Sequence, residues 1–125
     1  MNTMKNILLI TVACLLTWVG PICAGQLITV TEGMREPATT VKRKEYVMWW
    51  NRDKNRPVTV VFSGDMKESN FSTANARFVF ADGRTLASNL IPPGGVVSVS
   101  FENPGEYAYA IYGLHGEIHG KITVD

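Results

Sequence analysis

From about residue 26 onward, short runs of apolar and β-branched residues recur along the chain, separated by Gly, Pro, Asn and Asp. That is the punctuation of strands and turns, and no long window carries the 3.6-residue period of an amphipathic helix. Residues 27–30 and Ala38–Val41 predict two strands joined by a connection over 31–37. Residues 46–50 predict a third, stopped by the turn-forming Asn51-Arg52-Asp53. Along it Val47 and Trp49 alternate with Met48 and Trp50, so one pair faces the core and the other the surface. Residues 58–62 read as a near-continuous apolar run and predict a strand buried on both faces or an aromatic-capped core strand. The polar stretch 63–76, with an isolated Phe71, predicts no regular element. Residues 77–80 and 85–87 flank Asp82-Gly83 and predict a hairpin with a tight primed turn. Val96–Phe101 alternates and predicts one buried face, then come a turn at 103–105, a strand at 106–112, a loop at 113–120 and a closing strand at 121–124. Such segments supply seven or eight short strands, the count of an all-β sandwich or barrel.

The first twenty-five residues follow another pattern. Asn2, Thr3, Lys5 and Asn6 precede an apolar run over 7–19, which gives way to Gly20, Pro21, Ala24 and Gly25. This is the order of a secretory signal peptide. Thirteen apolar residues reach roughly 20 Å as a helix, short of the ~30 Å hydrocarbon layer, so cleavage after Ala24 or Gly25 is expected rather than anchoring. The alternatives are an uncleaved anchor and lipid attachment at Cys23, where Ile22 is larger than a lipoprotein signal normally carries. The expected organisation is a signal peptide over 1–25 and one domain over 26–125, periplasmic or secreted, with no stable membrane insertion once processed.

Composition narrows the chemistry. A chain of 125 residues with 46% hydrophobic and 18% charged residues suits one packed domain and excludes a multidomain enzyme. Its two cysteines, Cys14 and Cys23, both precede the expected cut, so the processed chain has no disulfide, thiolate metal ligand or cysteine nucleophile. The formal charge of +1 includes Lys5 and vanishes without it, leaving no whole-molecule field to draw in nucleic acid.

Three stretches, in order, resemble the cupredoxins, the small blue-copper fold of the plastocyanin and azurin type. Pro37-Ala38-Thr39-Thr40-Val41-Lys42, followed by Val47, Trp49, Asn51 and Asp53, is similar to the family's Thr/Val-rich strand and its Val-x-Trp-x-Asn-x-Asp segment. Ile91-Pro92-Pro93-Gly94, Val97, Val99, Phe101 and then Pro104-Gly105-Glu106-Tyr107-Ala108-Tyr109 resemble the stretch before the copper loop. Residues 115–119 and Gly120-Lys121-Ile122-Thr123-Val124 resemble the ligand loop and the closing strand. The resemblance spans nearly all of residues 37–125 and implies an all-β, Greek-key β-sandwich of cupredoxin type. It also implies copper ligands of which only one is kept in kind. Val58 stands where the first His is expected, Ile111 or Tyr112 where the Cys would fall, and His119 where the axial Met would be by the longer spacing; His115 alone matches. Without a thiolate, type 1 blue copper is excluded.

The residues that remain chemically suggestive are the two histidines. His115, Glu117 and His119 share one side of an extended segment, and His115 and His119 share a face at i, i+4 if the segment turns helically. This predicts a candidate Cu(II) or Zn(II) site at His115 and His119, assisted by Glu117 or Tyr112. The competing reading is two solvated histidines, with Glu117 pairing with one of them. Met34, Met48 and Met66 are too dispersed for a Met-rich Cu(I) site, though one can approach the His loop in the fold. Tyr107 resembles the hydroxyl-to-backbone corner of Greek-key sandwiches.

Residues 42–56 carry Lys42, Arg43, Lys44, Arg52, Lys54 and Arg56 against Glu45 and Asp53, a local +4. They read either as a docking patch for an acidic partner or as a charged sheet edge that blunts aggregation. Neither His has a Ser partner in a recognisable elbow, and Gly-rich phosphate loops are absent, so no enzymatic activity is expected. Two functions are carried forward: a divergent metal-binding protein using the His loop, and a metal-free interaction module that contacts its partner through that loop or the basic stretch.

Overall fold

The structure is a computed structural model that describes residues 25–64, 70–73, 78–81 and 85–125. Ten strands follow in chain order: β1 (Gly25–Val30), β2 (Ala38–Val41), β3 (Tyr46–Asn51), β4 (Thr59–Phe62), β5 (Phe71–Thr73), β6 (Phe78–Ala81), β7 (Thr85–Ser88), β8 (Val96–Phe101), β9 (Gly105–Tyr112) and β10 (Ile118–Val124). They make two sheets, ordered β1-β3-β8-β5 and β2-β10-β9-β4-β7-β6. The pairs β1–β3 and β2–β10 are parallel; the other ladders are antiparallel. The expected all-β sandwich is present, with more strands than the expected seven or eight.

Alternation along each central strand builds the core. Val47, Trp49 and Asn51 of β3, Val97, Val99 and Phe101 of β8, Tyr107, Tyr109 and Ile111 of β9, and Ile122 and Val124 of β10 are all buried. Trp49 lies at the centre, with the rings of Tyr109, Phe78 and Phe62 at 5.3, 5.8 and 5.9 Å. Edge-on aromatic contacts of this kind add to the area they bury. Met48 and Trp50 take the outer face, as the alternation required, and the Arg52 guanidinium lies 4.9 Å from the Trp50 ring.

Five elements differ from the sequence expectation. Val96–Phe101 does not bury one face alone: as an inner strand it buries Ser98 and Ser100 on one face as well as Val97, Val99 and Phe101 on the other. Residues 58–62 are not buried on both faces: Val58, Val60 and Phe62 point inward while Thr59 and Val61 are half-buried, and Val58 makes only an isolated bridge to Ile91. The stretch expected to be irregular contains β5, because the Phe71 ring finds Phe62, Phe80, Phe101 and Tyr107 within 5.5–6.2 Å. Long-range aromatic packing of this sort leaves no local periodicity to read. The closing strand starts three residues earlier than expected, so His119 belongs to β10 and not to a loop. Finally, β1 takes in Gly25, which pairs with Tyr46 although it lies within the segment expected to be removed. The rest of that segment, Met66 and the Asp82-Gly83 turn lie outside the described residues; the hairpin they imply is present as β6–β7 pairing, Ala81 opposite Thr85.

The strand directions gather four connections at one end of the sandwich: 31–37, 52–58, 89–95 and 113–117. The turn between β2 and β3, the turn after β8 and Asp125 lie at the other. This divides the basic stretch. Lys42, Arg43 and Lys44 share a depression with Glu102 and Asp125, whereas Arg52, Lys54 and Arg56 belong to the four-loop end. The six residues of β3 separate the two groups by about 20 Å.

Candidate functional site

Asn51 organises the four-loop end. It is fully buried, and its side-chain amide donates to the carbonyls of Arg56 at 2.8 Å and Ile91 at 2.9 Å. Its side-chain oxygen accepts from the Asp53 backbone N–H at 2.9 Å. On the main chain, Asn51 donates to Gly95 and accepts from Gly94, while Arg52 donates to Val30 at the end of β1. Asp53 then caps its own turn, its Oδ2 accepting from the backbone of Asn55 and Arg56. A buried amide whose two hydrogens and oxygen are all bonded is a costly thing to remove. It fixes the 52–56 turn and thereby aims Arg56.

Arg56 points at two other loops. Its Nη1 donates to Glu32 Oε2 at 3.2 Å and its Nη2 lies 2.8 Å from His115 Nε2. The His115 backbone N–H donates to the same Glu32 oxygen at 3.3 Å. Guanidinium has no acceptor atom, so His115 Nε2 must accept, which makes the imidazole neutral with its proton on Nδ1. Glu32 and Arg56 are well exposed, and an ion pair of that kind contributes at most about 1 kcal/mol; its value is geometric, tying three connections to one fork. The sequence reading placed Arg56 only within a run of charge. No spacing rule connects positions 32, 56 and 115, so no sequence signal could have assembled this cluster.

The predicted metal residues divide into separate sets. His115 engages Arg56 and Glu32. His119, on the outer face of β10, has its Nε2 3.2 Å from Glu117 Oε2 and shares a shallow depression with Glu36 and Lys121. Tyr112 ends β9 opposite Thr59, with its side chain exposed. Among the described residues, no group of three His, Cys, Asp or Glu side chains is placed to hold a metal ion. Glu32 ties the 31–37 connection to the His115 loop; Met34, in that connection, is half-buried against the core.

β9 carries two buried tyrosines, Tyr109 in the core and Tyr107 toward the opposite end. The Tyr107 hydroxyl donates to the Asn103 carbonyl at 2.8 Å, the corner expected from the sequence, and burial pushes its pKa above the ordinary value. Burial pushes the Tyr109 hydroxyl further, to about 12, with the Trp49 indole N–H pulling weakly the other way. That indole is outside hydrogen-bond geometry, and both Trp49 Nε1 and the Tyr109 hydroxyl are buried without a partner.

No family model and no curated protein matches the chain. Solved structures do. A Cu(I) form of an amicyanin variant is 19% identical over 81% of this chain and 82% of its own, with a TM-score of 0.56. A reduced Cu(I) form of a second variant, at pH 4, gives 17%, 82%, 83% and 0.57. An oxidised form of a third gives 21%, 81%, 82% and 0.58. The chain has a cupredoxin-like fold. Identity this low carries the architecture alone, so the fit of a cupredoxin copper to these residues rests on their own donors. They do not fit it. Val58 and Ile111 are fully buried aliphatics, and Leu114 and Ile118 pack against the same core, so hydrocarbon fills the end of the cupredoxin sandwich under the His loop. Tyr112 turns outward, and the lone pair of His115 faces a guanidinium. No helix among the described residues is long and apolar enough to cross a membrane.

Proposed function

We propose that the protein is an exported, non-enzymatic binding module, a cupredoxin-like scaffold whose four-loop end docks on an acidic partner protein without a bound metal. The observation that carries this reading is the Arg56 guanidinium 2.8 Å from His115 Nε2. A permanent cation sits on the one imidazole that matches the family pattern. The surface around it suits a protein contact. Leu90, Val96 and Tyr112 are exposed large apolar side chains here, 65%, 40% and 42% accessible, beside exposed Pro57, Pro92 and Pro93. Arg52, stacked on Trp50, and Lys54 supply positive charge, whereas Asp53 spends its carboxylate on backbone N–H groups of its own turn. Apolar anchors beside Arg52 and Lys54 match an acidic surface on that side of the end, whose other loops carry Glu32, Glu36 and Glu117. Export is read from the n, h and c order of residues 1–25.

The test is cross-linking in an extract of the protein's own compartment. Reversing Arg52 and Lys54 to Glu should abolish the cross-linked species, and reversing Lys42 and Lys44 at the far end should leave it intact. Equal loss from both ends, or from neither, rejects the surface.

A second reading has one observation in its favour, the His119–Glu117 pair at 3.2 Å. Calorimetric titration with Cu(II) and Zn(II) decides it. One-site binding lost in His119→Ala supports a surface metal site, and heats unchanged by that substitution end the idea.

A further inference from the structure

We infer that Arg56 is a built-in cation that closes a latent divalent-metal site formed by His115 and Glu32. Guanidinium donates and never accepts, so His115 offers Arg56 the lone pair on Nε2, the same electron pair a Zn(II) or Cu(II) ion would take. Glu32 Oε2 accepts from the neighbouring nitrogen of the same fork. One imidazole nitrogen and one carboxylate oxygen therefore converge on a single positive group, and they are donor types that Zn(II) takes, with exposed room for water to complete the shell. The His115 backbone N–H, bonded to that same carboxylate oxygen, keeps the two donors in register.

What makes Arg56 a guard and not an incidental surface contact is its tether. Its backbone N–H is held by Asp53 and its carbonyl by the buried amide of Asn51. The guanidinium is thus presented to the two donors at a high local concentration by a rigid turn, and it cannot lose its charge. An incoming metal has to evict a cation that stays nearby and repels it. The inference rests on the metal-free reading of this end but not on any protein partner.

Zn(II) alone, titrated calorimetrically near neutral pH, tests it. The parent is His119→Ala, which removes the other histidine, and it should show no binding at His115. Adding Arg56→Gln should create one-site binding at least about tenfold tighter than the weakest affinity the titration detects, with the His115 ring signals shifted in NMR spectra, and further replacement of His115 by Gln should abolish it. Arg56→Lys keeps a charge but loses the two-pronged fork, and should fall between; it serves as the readout if the Gln variant does not fold. A folded variant lacking the guanidinium that gains no Zn(II) affinity overturns the guard while leaving the metal-free reading standing. Zn(II) binding at His115 with Arg56 intact overturns both.

Discussion

Asn51 and Tyr109 are polar side chains in the same core with opposite accounts. Asn51 uses both amide hydrogens and its oxygen, so Asn51→Ala takes the side-chain donor from the Arg56 carbonyl, leaves the Ile91 carbonyl only its bond from the Val58 N–H, and frees the turn that carries Arg56. A loss of about 2–4 kcal/mol is expected from urea midpoints. Asn51→Asp should be no milder, because it puts a carboxylate against two carbonyl oxygens. Tyr109 has no partner for its hydroxyl, and its pKa of about 12 lies above the ordinary 10.0. The unfolded chain then ionises first on the way up in pH and binds fewer protons than the native state. Stability contributed by the protonated phenol is complete below pH 10 and is lost as pH rises from about 10 to about 12, a decline on the order of 2 kcal/mol. In Tyr109→Phe that alkaline decline should shrink, with little loss of stability at pH 8, when both proteins are followed by urea unfolding at each pH. An undiminished decline would show that another group is responsible.

At the scale of elements, the β9–β10 ladder links the core to the His115 loop. Gly120 of β10 lies under Tyr109, and a methyl group there would meet the phenol ring. Gly120→Ala must therefore push β10 away from β9 or displace the ring. A cost of about 1–3 kcal/mol is expected, with amide exchange rising first in β10 and in β2, which pairs with it. The same contact explains why the strand begins earlier than its sequence suggests. Gly120 reads as a loop residue by composition, yet it is a strand residue chosen for a close approach. The bounds of β2, β3 and β8 were legible to within a residue, although β8 buries both faces. Short β5 was not, because its order comes from rings contributed by β4, β6, β8 and β9.

Across the whole molecule, the two ends of the sandwich have different electrostatics although the chain is nearly neutral. Lys42, Arg43 and Lys44 lie beside Glu102 and Asp125 at one end; at the other Arg56 pairs with Glu32, while Arg52 and Lys54 stand near exposed apolar groups. A contact made by the second group weakens as salt rises, since exposed charges are screened within about 10 Å at 0.1 M salt. By itself the sequence determined the all-β class, the alternation that buries Trp49 and exposes Trp50, the corner at Tyr107 and the absence of any cysteine after position 23. Each follows from local chemistry or a count. Only the tertiary structure decided that His115 and His119 serve different neighbours, that the basic stretch divides between two ends, and that Arg56 meets Glu32 and His115. Those contacts join residues 24 and 59 positions apart, and a separation of that size is bridged by strand pairing and sheet packing, never by spacing along the chain.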